Sequence, residues 1–574
     1  MPAITPSSPT RTYTLDGDLS GVRGVTADPD WGIKVYKGTP GDFPERLNQF
    51  RPAPYSWHEL VERRINGDPA PVATPTKTFT ARPWQDKTIE EIAKAGRGYV
   101  LTSTTGSGKT HMAIQGAIAR GARRVLVIAP KSILKRWRDD IGAYTVGDME
   151  WVVTNPEQLS RLLRDPDPKI KVQTFPRKER VAATAVRGVP AVDFDMVIAD
   201  ETQFLANPSS NRSRLWRRLV KWGDDGPEVF TLTMSATPFT APDEIWAAAH
   251  LIAEATKTKC PDEMRVDSAW VPHLTGLGVK VIEGKRKKWR WHEHKRASAK
   301  VTSWLYQDGR GSATSAADIG LPTQERVLHP ITLTPTERYT YNREWRNFRE
   351  LMDLPVDTLL DIKPDSPLVE RLRNVQKASL LKAPRAAEVI AQYVRDGYLV
   401  VVPTWYAETV KEIALRVSRE LLHGTPSIEA YVAEVTGATP AEVQDKRIRQ
   451  FQSGLSKVIV TSSIKAISLH AGEQEGGWER EDACDTKRVT VFMDVFTGGK
   501  NAFQAEGRAQ RDGQKALAVY LYAENTTEEE WLASVFAAMG STKALSLDLD
   551  EVDPATEPDL MMLRGFADKL RTKK

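Results

Sequence analysis

Two closely spaced glycines lie in a run of hydroxyl residues, Ser103-Thr-Thr-Gly-Ser-Gly-Lys-Thr110, directly after the apolar stretch Gly98–Thr102. Such a loop needs a strand before it and a helix after it, so the chain around it must be an α/β unit. Gly106 and Gly108 let backbone amides approach phosphate oxygens closely, with Thr105 and Ser107 between and before them. Lys109 has the reach for β- and γ-phosphates, and the Thr110 hydroxyl suits Mg²⁺. Ser103 stands where the general pattern has its first glycine.

From about residue 80, apolar runs alternate with helical stretches. The spacing predicts strands at Gly98–Thr102, Arg124–Ala129, Trp151–Thr154, Met196–Ala199 and Val229–Met234. A second alternating region predicts strands at Tyr398–Val402, Lys457–Thr461, Val489–Met493 and Ala518–Tyr522. This pattern implies parallel sheets with helices on both faces. The expected fold class is therefore α/β, with two tandem RecA-like lobes at 76–245 and 371–545. An irregular insert at 246–370 would join them, after an N-terminal extension at 1–75 and before a charged tail at 546–574. In the extension, Trp31–Tyr36 reads as a strand, Tyr55–Ile65 as a helix and 67–75 as a linker.

At 574 residues the chain is too long for one core. Its 40 % hydrophobic and 27 % charged content is that of a globular protein, and its net charge of +5 permits a polyanionic partner. Two cysteines make no disulfide framework, and no Cys/His cluster has zinc spacing. The N-terminus lacks the apolar centre of a signal peptide, and no run is long enough to span a bilayer. A cytoplasmic protein with no membrane partner is expected.

Asp195-Met-Val-Ile-Ala-Asp-Glu-Thr-Gln203 is an apolar strand ending in two carboxylates. Asp200 is placed to hold Mg²⁺, and Glu201 to orient the attacking water. Gln203 could couple the γ-phosphate to the next motif, Thr231-Leu-Thr-Met-Ser-Ala-Thr-Pro238, whose Ser235 and Thr237 could hydrogen-bond the acidic residues. Upstream, the amide of Gln85 could pair with both donor and acceptor on an adenine edge, favouring ATP. A helix cap or a surface helix would use the same residue types, but the phosphate loop about ninety residues before Asp200 favours the catalytic reading.

In Gln504-Ala-Glu-Gly-Arg-Ala-Gln-Arg511, Arg508 and Arg511 could supply positive charge to a phosphoryl-transfer transition state, with Gln504 coupling. A solvated basic helix would contain the same arginines. Lys287, Lys288, Trp289, Arg290 and Trp291 combine cations with rings that could stack on bases, or anchor the insert instead. The arginines at 212, 214, 217 and 218 are a second such cluster. His292 and His294 read as surface residues.

Taken in order across about 78–530, these motifs resemble superfamily 2 helicases and translocases. The closer likeness is to SWI/SNF-type DNA translocases. It is carried by Val125-Leu-Val-Ile-Ala-Pro-Lys-Ser-Ile-Leu-Lys-Arg-Trp137, Asp200-Glu-Thr-Gln-Phe-Leu-Ala-Asn-Pro208, Gly320-Leu-Pro-Thr-Gln324 and Thr332-Leu-Thr-Pro-Thr-Glu-Arg-Tyr339. Lys382-Ala-Pro-Arg-Ala-Ala-Glu-Val389, Thr436-Gly-Ala-Thr-Pro440 and Arg511-Asp-Gly-Gln514 extend it. The resemblance implies ATP as substrate, Mg²⁺ as cofactor and DNA as track, with RNA still open, in a small bacterial or bacteriophage helicase. Departures are Gln203 where the branch has His, Met234-Ser-Ala-Thr-Pro238, and the absence of a glycine pair in 462–470. An ATP-gated nucleic-acid clamp and a subunit of a restriction or repair complex are the alternatives.

Overall fold

The computed structural model describes residues 11–15, 25–28, 33–38, 79–104, 106–145, 149–164, 185, 188–236, 239, 242–261, 270–283, 289–291, 294–314, 325–352, 367–405, 407–422, 432–462, 469, 486–494, 499–509, 517–544 and 558–572. The chain divides into two compact units, residues 1–314 with 545–551 and residues 315–544 with 552–574.

In the first unit, six strands form one parallel sheet: β1 (Gly98–Ser103), β2 (Arg124–Ile128), β3 (Glu150–Thr154), β4 (Met196–Asp200), β5 (Phe230–Ser235) and β6 (Gly311–Thr314). Their order is β6-β1-β5-β4-β2-β3. Helices α1 (Pro83–Lys94), α2 (Lys109–Arg120), α3 (Leu134–Tyr144), α4 (Asn211–Leu219), α5 (Ala249–Thr256) and α6 (His294–Tyr306) surround it. Both sheet faces are covered, and the strands record this in their alternation. Leu126 and Ile128 enter one core, with Val100 and Val197. Val125 and Val127 enter the other, with Tyr99 and Leu101. Residues two apart share a face, so burial of both sets requires a layer on each side.

The second unit repeats this plan. Its strands are β7 (Glu325–Ile331), β8 (Leu399–Pro403), β9 (Val432–Val435), β10 (Val458–Thr461), β11 (Arg488–Phe492) and β12 (Leu517–Ala523), all parallel in the order β7-β12-β11-β8-β10-β9. Around them run α7 (Pro335–Met352), α8 (Pro367–Arg395), α9 (Ala407–Leu422), α10 (Ala441–Gln452), α11 (Gly499–Glu506), α12 (Thr527–Ala544) and α13 (Pro558–Thr572). Val400 and Val402 face one core while Leu399 and Val401 face another.

Two expectations change. The stretch 246–370 contributes an edge strand to each sheet, β6 to the first and β7 to the second. Within the expected tail, α13 places Leu563, Ala567 and Leu570 on one helical face, buried with Phe536. Near the N-terminus, strands Arg11–Leu15, Val25–Asp28 and Ile33–Gly38 form a small antiparallel sheet, close to the strand expected at Trp31–Tyr36. Stretches 55–65 and 67–75 lie outside the described residues. Among the described residues, no helix is long and apolar enough to cross a membrane.

Candidate active site

β1, β5 and β4 are neighbours in the first sheet, with Ser235 opposite Thr102 and Met234 opposite Asp200. Their carboxyl ends bring Ser103, Ser235 and Asp200 to the same edge. Ligands of open parallel sheets bind at that edge.

The phosphate loop leaves β1 and becomes α2 through two left-handed residues, Gly106 at φ 84° and Gly108 at φ 79°. An L side chain is strained there. A Cβ on Gly108 would also lie 2.7 Å from Gln85 Nε2. Inside the loop, Lys109 Nζ donates to the Ser103 and Thr104 carbonyls at 2.8 and 2.9 Å. The Ser107 hydroxyl is buried without a hydrogen-bond partner among the described residues. Thr110 opens the first turn of α2, and Thr105 lies outside the described residues. Gln85 braces the loop: its Nε2 donates to the Ser107 carbonyl at 3.0 Å, and its Oε1 accepts from Arg82 N–H at 2.9 Å. An amide group has a further donor and a further lone pair, so these bonds leave capacity for an adenine edge.

The acidic motif follows the buried strand β4. Asp200 Oδ2 accepts from Trp137 Nε1 at 2.8 Å. Burial first, and then the adjoining Glu201 charge, push the Asp200 carboxyl up to about 7, against the opposing pull of Trp137 and Lys109. Glu201 stands in the left-handed region, φ 54° and ψ 61°. This turn brings Glu201 Oε2 within 2.7 Å of Gln203 Nε2 and 3.0 Å of Ser235 Oγ. Gln203 Nε2 is also 3.0 Å from Ser235 Oγ. A closed triangle of hydrogen bonds therefore joins the acidic motif to the end of β5. Thr237 lies outside the described residues.

The site's donor set suits Mg²⁺. Asp200 and the Thr110 hydroxyl offer hard oxygens. Mg²⁺ commonly takes one or two protein oxygens and completes its shell with nucleotide phosphates and water. Among the described residues, no group of three or more His, Cys, Asp or Glu could hold a metal ion.

In the second unit, Gln504 is buried on α11, and Arg508 follows just past that helix. The Arg508 carbonyl accepts from Leu469 N–H at 3.0 Å. Two residues earlier, Glu506 is held by buried Arg326 at 2.7 and 2.8 Å and by the Tyr520 hydroxyl at 2.8 Å. Arg511, Lys287 and Lys288 lie outside the described residues. Trp289–Trp291 forms a short strand antiparallel to Val281–Glu283. Of the other arginine cluster, Arg212 pairs with Glu157 at 2.9 Å. Arg217 donates to the Pro208 carbonyl at 2.9 Å and lies over the Trp246 ring. These contacts give two of its four members structural work.

A phosphate loop and an acidic strand end at the carboxyl edge of a doubly covered parallel sheet are the parts of a nucleotide-binding site of the kind a helicase-like ATPase domain uses. Residues 78–240 match the family described as type III restriction enzyme, res subunit. No curated relative matches the chain.

Three contributors to the site were not singled out from sequence. Trp137 lies within a quoted motif, yet nothing local marks its partner. The Tyr306 hydroxyl donates to Thr102 Oγ1 at 2.9 Å, and the Thr314 carbonyl accepts from Thr104 N–H at 3.0 Å. α6 and β6 thus anchor the start of the phosphate loop from about 200 residues away, a pairing that carries no local signal.

Proposed function

We propose that the protein is an ATP-dependent DNA helicase or translocase that couples hydrolysis to movement along DNA. The observation that carries this reading is the Glu201–Gln203–Ser235 triangle. Glu201 is positioned beside the phosphate loop's sheet edge to accept a proton from, and orient, the attacking water. Gln203 and Ser235 hold its carboxylate by two donors, so a shift at the γ-phosphate is passed directly to the end of β5. Lys109 holds the Ser103 and Thr104 carbonyls, contacts it can exchange for phosphate oxygens, and the amides at Gly106 and Gly108 can join it. Thr110 and Asp200 would hold Mg²⁺, which when bound neutralises charge on the β- and γ-phosphate oxygens. Arg508 and Arg511 are proposed to add positive charge to the transition state when the second unit engages the nucleotide. Residues 287–291 are proposed contacts to the track. The segments Val125–Trp137 and Asp200–Pro208 favour duplex tracking of the SWI/SNF type.

The test is steady-state ATP hydrolysis with no nucleic acid, single-stranded DNA, blunt duplex, forked duplex and RNA, using Glu201→Gln as the blank. Duplex stimulation with third-strand displacement is expected. Stimulation confined to forks and single strands would assign strand separation instead. Absence of any stimulation would remove the motor reading, and stimulation without displacement would leave a clamp.

A further inference from the structure

Trp137 lies on α3, outside both the phosphate loop and the acidic motif, yet its indole N–H reaches Asp200 Oδ2 at 2.8 Å. Trp137 is 1 % exposed and Asp200 6 %. The indole packs in the core that also holds Leu134, Ile141, Val153 and Met196, so the ring has no room to turn. An indole N–H donates and never accepts. It therefore fixes one carboxylate oxygen as its acceptor and, with it, the orientation in which the group can meet a cation. Mg²⁺ tolerates little departure from octahedral geometry, and outer partners that orient a ligand control metal affinity.

We infer that Trp137 is a positioning residue for the divalent cation: through its N–H it holds the Asp200 carboxylate in the orientation needed to meet nucleotide-bound Mg²⁺. This rests on the ATPase reading above. A buried indole also needs a partner for its N–H in order to fold, and the two roles differ in their consequences. A side chain with a folding role alone changes stability and leaves the linkage between nucleotide and Mg²⁺ untouched.

The test is calorimetric titration of the full chain with the non-hydrolysable imido analogue of ATP, once in EDTA and once in Mg²⁺. In the wild type, Mg²⁺ strengthens binding. Trp137→Phe leaves affinity in EDTA unchanged and cuts the Mg²⁺-dependent gain about tenfold or more, the range seen when outer partners of metal ligands are removed. Trp216→Phe, at another fully buried tryptophan of the same unit, keeps the whole gain. If Trp137→Phe also keeps it, the inference is overturned while the ATPase reading stands. If the wild type does not bind the analogue, both fall. Should Trp137→Phe not fold, benzothienylalanine at position 137 keeps the fused rings, lacks only the N–H, and is expected to show the same loss.

Discussion

Glu201 combines two costs in one residue. Its left-handed backbone is strained for a side chain with a Cβ, by about 1–2 kcal/mol, and its carboxylate lies next to that of Asp200. Such strain persists where surrounding contacts over-determine it, and here Gln203 and Ser235 do so. The sequence motif makes Glu201 the proposed water-orienting residue but cannot show the left-handed turn at which it stands. At the opposite end of the sheet, His250 on α5 sits against the start of β5, with Nε2 3.5 Å from Thr231 Oγ1. Burial, then the Arg97 charge, push its pKa down to about 3. Between about 3 and 6.5 the unfolded chain holds the proton that the folded chain lacks. This contribution to stability is therefore complete above 6.5 and is lost as pH falls, by at most about 1.4 kcal/mol per pH unit. His250→Phe retains a ring facing Trp222 but cannot titrate. Thermal unfolding of the first unit between pH 7 and 4 is expected to fall more steeply for the wild type than for this variant. Parallel curves would refute the assignment.

At the level of elements, all nine strands predicted in the two alternating regions are present. Within the two six-stranded sheets, the three strands that escaped, β6, β7 and β9, are all edge strands. An edge strand has a neighbour on one side only and is less often wrapped in core, so its apolar signal is weak. β6 reads Gly-Ser-Ala-Thr, and β7 carries Pro330, which only an edge tolerates easily. Contacts between elements are similarly invisible to pattern. Lys382 on α8 is fully buried, donating to the Met493 carbonyl at 2.9 Å and the Leu521 carbonyl at 3.3 Å, and pairing with Glu528 on α12 at 2.9 Å. One ammonium ties together α8, α12, β12 and the end of β11. Removing one partner of a buried pair strands the other charge. Lys382→Ala is expected to destabilise the second unit by about 3–5 kcal/mol, read from its denaturant midpoint. Adding Glu528→Gln should recover part of that loss, and a strictly additive double variant would show that the pair is not coupled.

For the whole molecule, sequence pattern resolved two α/β units, while one edge strand of each sheet, β6 and β7, lies in the middle stretch that it read as an irregular insert. The family match ends at residue 240, yet β1 has β6 as its outer neighbour. A fragment ending at residue 245 would leave the backbone of β1 unpaired along one side. Exposed edges of apolar strands pair with other chains. We predict that a fragment of residues 76–245 aggregates and does not bind the ATP analogue, whereas residues 76–320 remain monomeric and bind it, as sedimentation and calorimetry would show. Equal behaviour of the two fragments would mean that β6 is dispensable.

The bond between Thr104 N–H and the Thr314 carbonyl also sets a timetable for synthesis. A ribosome makes the phosphate loop early, but the strand that steadies its first residue emerges about 200 residues later. At about 5–20 residues per second, the nascent chain passes ten seconds or more with its most important strand bare on one side. During that interval a chaperone that shields strand edges has something to hold, and a stop codon before residue 311 would release a product with no means of covering it.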